Sequence, residues 1–445
     1  MQIIEEIFRV YDIRGLLEQV TPEVARKAAQ VLVKRTGAKT VVIGRDMRAT
    51  SPELMEAAID GVTALGVKVI NIGMTTTPLY CYAVRNLDVE AGIMVTASHN
   101  PPEYNGMKFA DKTGFPISGL DIRKGMEDVY DEVVERGTVR DQSVLEAYLD
   151  ACLNWPGAME AAKGVKVVAD YGNGMGALTL RPLAARLGIE LIELYPEPDA
   201  RFPNHEANPA KEETLDAIKA EVLKQKADFG VALDGDADRI AFIDNEGQSL
   251  RGDLVLVVFA KELLQRLPRS AFVVAPNQSW TTTDTIIELG GKTIESSIGR
   301  TLVIRKMIEH RAALGGEVSS HFFFPEFGNL EAVEHAFVRM LCIWRSSGQT
   351  FADMVRPLRQ YHNTGEVNFS VKDKAIVLEQ IKQVYGSQAS SINTIDGIRC
   401  DFNRDWWFIA RPSNNEPLMR LTIEANSEEL MKFKREELTK FIQAM

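Results

Sequence analysis

The segment Thr96-Ala97-Ser98-His99-Asn100-Pro101 follows an apolar run, Gly92-Ile93-Met94-Val95, that reads as a buried strand delivering an exposed polar loop at its end. A serine alcohol in such a loop can accept and release a phosphoryl group when basic side chains hold the phosphate and a neighbour manages the proton. His99 and Lys108 offer both functions. The same residues also fit a plain polar turn, with Asn105-Gly106 marking a second turn just beyond. A serine hydrolase is set aside because the nucleophile elbow G-x-S-x-G is missing around Ser98.

A second loop, Asp234-Gly235-Asp236-Ala237-Asp238-Arg239, lies between the short apolar runs Phe229 to Leu233 and Ile240 to Ile243. Carboxylates at every second position of a turn can converge on one hard cation, and Gly235 and Ala237 leave room for the bend. Magnesium suits them, with a position left for a phosphate oxygen. An EF-hand calcium loop would need Gly in place of Arg239 and Glu in place of Asn245. A solvated acidic turn is the alternative, but such a turn rarely sits between two apolar strands. Arg239 beside the ion points to an anionic ligand.

Two further loops complete the set. Gly315-Gly316-Glu317-Val318-Ser319-Ser320-His321 presents a carboxylate and a hydroxyl that could bind vicinal sugar hydroxyls. Arg411-Pro412-Ser413-Asn414-Asn415-Glu416-Pro417 joins two strongly apolar runs, and its guanidinium, hydroxyl, amides and backbone N–H groups suit phosphate oxygens. Taken alone, each is equally a polar turn.

The elements that must carry these loops show in the hydrophobic pattern. A β-branched run, a helical stretch ending in Leu-Gly and a second extended run recur: Val41-Val42-Ile43 leads to Leu65-Gly66, Val165 to Val168 leads to Leu187-Gly188, and Phe272 to Ala275 leads to Leu289-Gly290. Glycine after leucine fits a helix end, where the left-handed conformation is cheap. These βαβ units predict an α/β chain of three similar mixed domains, with functional loops at the carboxyl ends of strands around a central cleft. After about Gly365 several strands follow one another with helices at either side, predicting a smaller C-terminal α+β domain. The expected domains are 1–150 with the serine loop, 151–244 with the aspartate loop, 245–362 with the glutamate–serine loop and 363–445 with the arginine loop.

Bulk properties remove whole classes of function. With 445 residues the chain has room for several domains, and 45% hydrophobic against 25% charged residues is ordinary for a soluble protein. A net charge of -11 argues against nucleic-acid and anionic-membrane partners. Cys81, Cys152, Cys342 and Cys400 lie far apart with no C-x-x-C pair, which fits buried or free thiols in a reducing compartment. Neither a secretion signal nor a membrane-length apolar run is read in the chain, so a cytoplasmic location is expected.

The four loops in this order resemble the α-D-phosphohexomutase superfamily, most closely its phosphomannomutase/phosphoglucomutase branch. The opening Phe8-Arg9-Val10-Tyr11-Asp12-Ile13-Arg14-Gly15 and the Gly299-Arg300 turn are similar to that family as well, so the resemblance spans nearly the whole chain. It implies an isomerase that interconverts hexose 6-phosphate and hexose 1-phosphate, of mannose, glucose or both. Ser98 would be the phosphoserine and, with Asp234, Asp236 and Asp238, would hold Mg2+. Lys108 would handle a proton, supported by Arg14, His99 and Arg239. Glu317 and Ser319 would grip sugar hydroxyls, Arg411, Ser413 and Asn414 would hold the non-reacting phosphate, and Tyr11, Arg300, His321 and Asn415 would also meet the substrate. The resemblance further implies a hexose 1,6-bisphosphate activator, a phosphosugar as the small-molecule partner, and a monomer or dimer. Closure of the C-terminal domain about a hinge near Asn363 would exclude water.

Ser320, Asn415 and Val318 depart from the family pattern of glycine, threonine, and methionine or glutamine, which leaves the sugar open and keeps phosphoglucosamine mutase as an alternative. A rival from another class is a dinucleotide-dependent oxidoreductase, since Gly172-Asn173-Gly174-Met175-Gly176-Ala177 fits G-x-G-x-x-A after a strand. A non-catalytic sugar-phosphate sensor is the other.

Overall fold

The computed structural model describes residues 4–130, 135–413 and 418–445. The chain divides into two compact units, Met1–Gly252 with Ser319–Met354, and Asp253–Val318 with Val355–Met445.

In the first unit, strand Thr40–Arg45 pairs in parallel with both Lys68–Met74 and Ala91–Val95. Every residue of Ala91–Val95 is buried, which is why a continuous apolar run, rather than an alternating one, encodes it. Tyr104–Asp111 then returns antiparallel to Ala91–Val95, and Ile13–Leu16 pairs antiparallel on its other side. This placement corrects the turn expected at Asn105-Gly106, since both residues lie inside the strand. A Cβ on Gly106 would stand 2.3 Å from the Ile13 carbonyl oxygen and 2.9 Å from that of Thr96. The glycine answers a close approach of backbones rather than a reversal of the chain.

A second sheet of the same unit orders Ser249–Leu250, Ile240–Asp244, Phe229–Leu233, Lys166–Asp170 and Glu190–Leu194. Phe229–Leu233 and Lys166–Asp170 are parallel, so their carboxyl ends deliver the aspartate loop and the Gly172 turn side by side. The helix Val333–Ser347 also belongs to this unit, and Phe337 and Trp344 on it pack their rings against Phe229.

In the second unit, Ala271–Val274 pairs in parallel with Lys292–Glu295 and Leu314–Gly316. The Leu-Gly signal holds in each repeat: Gly66, Gly188 and Gly290 all take left-handed φ, at 75°, 69° and 80°. The C-terminal strands Val367–Ser370, Ile398–Phe402, Trp406–Pro412 and Leu418–Ala425 join an antiparallel sheet with helices Lys374–Tyr385 and Glu428–Gln443 in sequence beside it. The fold is α/β with a smaller α+β C-terminal part, as the sequence pattern predicts. Among the described residues no helix is long and apolar enough to cross a membrane.

Candidate active site

Ser98 sits in the left-handed region at φ 51°, a conformation that a non-glycine residue keeps only when its surroundings enforce it. The enforcing group is Arg48. Its Nη1 donates to the carbonyl oxygens of Pro101 and Tyr104, both at 2.8 Å, and its Nη2 donates to Ser98 O at 2.8 Å and to Asn100 O. Asp46 pairs with the Arg48 guanidinium at 3.3 Å, and both side chains are almost fully buried. One residue thus ties down four carbonyls of the serine loop. Ser98 itself is 4% exposed, which corrects the expected exposed loop. Drawing these carbonyls onto a buried guanidinium carries the serine inward.

The aspartate loop meets it there. Ser98 Oγ donates to Asp234 Oδ2 at 3.0 Å. Asp234 Oδ1 accepts from the backbone N–H groups of Asp238 and Arg239, at 2.9 and 3.1 Å. Asp236 Oδ2 accepts from Thr77 Oγ1 at 2.5 Å and Lys108 Nζ at 2.6 Å, and Asp238 Oδ2 accepts from Lys108 Nζ at 2.7 Å. Asp236 and Asp238 therefore each have one oxygen anchored by the protein's own donors, and Asp234 has both. Asp236 Oδ1 and Asp238 Oδ1 are buried with no hydrogen-bond partner among the described residues. Buried anionic oxygens without a hydrogen bond are costly unless a positive charge meets them; His321 Nδ1 comes within 3.6 Å of Asp238 Oδ1, and one ligand atom from each aspartate falls within 4.8 Å of the others. The donor set fits a hard divalent cation.

The loops interlock through small residues. A Cβ on Gly235 would stand 2.4 Å from Ser98 O, so only glycine allows this approach. A Cβ on Gly174 would stand 2.8 Å from Gly235 O, and Met175 N donates to that same oxygen at 2.9 Å. The Gly172–Gly176 turn is thus packed against the aspartate loop, a structural use that accounts for its glycines without a dinucleotide.

Charge follows the geometry. Burial pushes the Asp234 carboxyl well above the usual range, reinforced by the charges of Asp238 and Asp236. Burial and Asp238 act upward on Asp236 as well, yet Lys108 and Thr77 hold it below its ordinary value. Asp238 is also held low, where burial is outweighed by Lys108 and His321. His99 Nδ1 lies 3.3 Å from Ser98 Oγ. Burial, then the positive charges of Arg239 and Arg14, keep that imidazole neutral well below its ordinary value of 6.5.

The remaining expected residues fall into place within each unit. Arg14 Nη1 donates to Asn100 Oδ1 at 2.8 Å and its Nη2 pairs with Asp12. Arg239 Nε donates to His321 Nε2 at 3.0 Å, while His321 Nδ1 faces Asp238 and Glu331 at 3.6 and 3.5 Å. Tyr11 and Ser319 are half-buried residues of the same unit. In the second unit, Glu317 is 5% exposed and its Oε1 accepts from Gly299 N at 2.8 Å, next to Arg300 at the start of helix Arg300–His310. Arg411 and Ser413 are buried, and Ser413 N donates to Leu418 O at 2.8 Å. Asn414 and Asn415 lie outside the described residues.

Sequence reasoning missed Arg48, Thr77, Asp12 and Glu331. The pattern Arg45-Asp46-Met47-Arg48, a charged cluster at the carboxyl end of a parallel strand, is the signal that could have found the first.

Comparison with known proteins agrees with this layout. Models of the phosphoglucomutase/phosphomannomutase family match in order: alpha/beta/alpha domain I over residues 5–135, domain II over 146–247, domain III over 251–361 and the C-terminal domain over 366–440. The phosphohexose mutases of Xanthomonas campestris pv. campestris strain B100 are 33% identical over 95% of both chains. The phosphomannomutase/phosphoglucomutase of Pseudomonas aeruginosa is 32% identical over 95% of this chain and 92% of its own. The crystal structure of a phosphoglucomutase/phosphomannomutase family protein from Burkholderia thailandensis superposes with a TM-score of 0.88 at 30% identity, covering 100% of this chain and 98% of the other. With the serine and aspartate loops joined as described, the chain belongs to the phosphoglucomutase/phosphomannomutase family.

Proposed function

We propose that this protein interconverts hexose 6-phosphate and hexose 1-phosphate, of mannose, glucose or both, through phosphorylation of Ser98 and a bisphosphorylated sugar. The observation that carries this reading is the 3.0 Å contact between Ser98 Oγ and Asp234 Oδ2, at the edge of three buried carboxylates. Mg2+ held by Asp234, Asp236, Asp238 and Ser98 would supply Lewis-acid stabilisation of charge on the transferring phosphoryl group.

The chain's own residues account for the other requirements. His99, with Nδ1 3.3 Å from Ser98 Oγ, supports the serine beside the transferring phosphoryl group. Lys108, anchored on Asp236 and Asp238, stands at the same spot and is the group assigned to the sugar hydroxyl's proton. Arg14 and Arg239 add positive charge around the phosphoryl group. Glu317 is pinned by Gly299 and so is held ready for sugar hydroxyls, while Arg411 and Ser413 suit the phosphate that does not react. Domain boundaries near residues 150, 244 and 362, a trace of hexose 1,6-bisphosphate as activator, and a cytoplasmic monomer or dimer complete the reading.

Turnover of mannose, glucose and glucosamine 6-phosphates, each primed with a trace of hexose 1,6-bisphosphate, tests the reaction and ranks the sugars. Ser98→Ala is expected to nearly abolish interconversion while the protein still folds, and intact mass is expected to show one phosphate on the wild type and none on the variant. Full activity of Ser98→Ala would refute the assignment. Binding of sugar phosphates without turnover by the wild type would identify a sensor instead.

A further inference from the structure

The turn between strands Ser391–Asn393 and Ile398–Phe402 reaches the Glu317 loop by two separate paths. The strands pair antiparallel, with Asn393 opposite Arg399, and the turn is tightly folded. Ile395 N donates to Asn393 Oδ1 at 2.9 Å, and Gly397 takes a left-handed φ of 71°. A Cβ on Gly397 would stand 2.3 Å from Ala410 O, so the turn lies directly on strand Trp406–Pro412 and the sheet sets its position.

On the first path, Asp396 Oδ2 accepts from Ile298 N at 2.8 Å and Ile395 O accepts from Ser297 Oγ at 3.0 Å. The next residue, Gly299, donates its N–H to Glu317 Oε1 at 2.8 Å. Gly299 has φ 141°, a conformation open to glycine and rarely to other residues, so local backbone preference does not aim that N–H at the carboxylate. The contacts just upstream do. On the second path, Arg399 Nη1 donates to Gln278 O at 3.1 Å, and Gln278 Nε2 donates to Gly316 O at 2.6 Å, one residue before Glu317. Arg399 is itself fixed, with its guanidinium 4.0 Å from the Trp407 ring centroid and paired to Asp401 at 2.9 Å.

We propose that Asp396 is a positioning residue for sugar binding, which sets the Glu317 carboxylate through the Ile298–Gly299 peptide while Arg399 steadies the backbone at Gly316. A turn of the C-terminal domain thereby decides how well residue 317 meets the sugar hydroxyls. The inference rests on the reading of Glu317 as a sugar-binding residue. Asp396 acts through Gly299 and Glu317 and is assigned no contact with substrate of its own.

Asp396→Ala removes the acceptor and is expected to raise the KM of both hexose phosphates about tenfold, the scale of a charge-assisted hydrogen bond. Its kcat is expected to stay within about threefold, since contacts made alike in ground and transition states act on KM. Asp396→Asn keeps an accepting oxygen and is expected to restore KM to within about threefold of the wild type. Ser297→Ala removes the neighbouring tie with less risk to the fold and is expected to raise the same KM values about threefold. The Ki of inorganic phosphate, which has no sugar hydroxyls, is expected to be unchanged in all three variants, whereas a general loosening of the domain would move it. In a double-mutant cycle, Asp396→Ala is expected to add less than about twofold to the effect of Glu317→Ala. KM values that match the wild type in Asp396→Ala or in Ser297→Ala would overturn the proposal. So would an Asn variant as impaired as the Ala variant, a phosphate Ki that rises with KM, or independent effects in the cycle. If Glu317→Ala raises both KM values while Asp396→Ala matches the wild type, this inference fails and the reading of Glu317 stands. If Glu317→Ala binds both hexose phosphates normally, the underlying reading itself fails.

Discussion

Gly235 shows how one missing methyl group lets the aspartate loop close on the serine loop. Its Cα lies against the Ser98 carbonyl, and an added Cβ would come within 2.4 Å of that oxygen. Since Arg48 already fixes the same carbonyl from the other direction, the clash cannot be relieved by moving the serine loop alone. Gly235→Ala is therefore expected to separate Ser98 from Asp234 and to lower kcat about 100-fold, the usual consequence of misplacing reacting groups by about 1 Å. Steady-state kinetics checks this, and a kcat within threefold of wild type would show that the two loops need not interlock. Ser98, the three aspartates and Lys108, which the structure brings together, were singled out in the sequence by the order of the polar loops and the resemblance that this order carries, since Ser98 alone fits a plain polar turn. Arg48 and Thr77 were not, since an arginine at a strand end and a threonine at a helix start are common, and only the fold brings Thr77 to Asp236.

At the scale of elements, helix Val333–Ser347 buries three ionisable residues in succession along its inner face, Glu334, His335 and Arg339. Tyr148 donates to Glu334, and the rings of Phe324, Phe327 and Trp155 enclose His335 with centroids 4.8, 5.0 and 5.2 Å away. Neither ring nitrogen of His335 has a hydrogen-bond partner among the described residues. Burial, with the positive charge of Arg339, depresses the imidazole from 6.5 to about 3. The unfolded chain takes up a proton near pH 6.5 whereas the folded chain resists until about pH 3. Stability attributable to this group is hence complete above pH 6.5 and falls as pH drops through that window, by up to about 1.4 kcal/mol per pH unit. Urea unfolding between pH 7.5 and 5 should show a shallower acid loss for His335→Phe than for the wild type, and parallel curves would contradict the assignment. No sequence signal marks this cluster, because a histidine on an apolar helix face reads the same whether or not its nitrogens are satisfied.

For the whole molecule, the aspartate loop ties stability to ligand. Three carboxylates lie buried together, with Lys108 paired to two of them and Arg239 3.8 Å from the third, and burial beside its two neighbours makes Asp234 the costly one. A divalent cation that binds only the folded chain should raise its stability, by about 2.7 kcal/mol at a concentration 100 times its Kd. Calorimetry at increasing Mg2+ concentration is expected to show Tm climbing, and EDTA should reverse the gain. Asp234→Asn should remove the response while matching or exceeding the metal-free stability of the wild type, because it relieves like-charge repulsion. A Tm insensitive to Mg2+ would count against the loop as a cation site.

Taken residue by residue, the sequence by itself determined the α/β class, the repeated units, the smaller α+β C-terminal part and the loops that carry polar, chemically capable residues. Hydrophobic period, Leu-Gly helix ends and clustered polar residues are local properties, and local properties survive in a linear string. What only the tertiary structure decided is depth and partnership: that Ser98 is buried rather than exposed, that Asn105-Gly106 is strand rather than turn, and that Arg48 and Thr77 hold the two loops. Such facts depend on distances between residues far apart in the chain, and no local pattern encodes them.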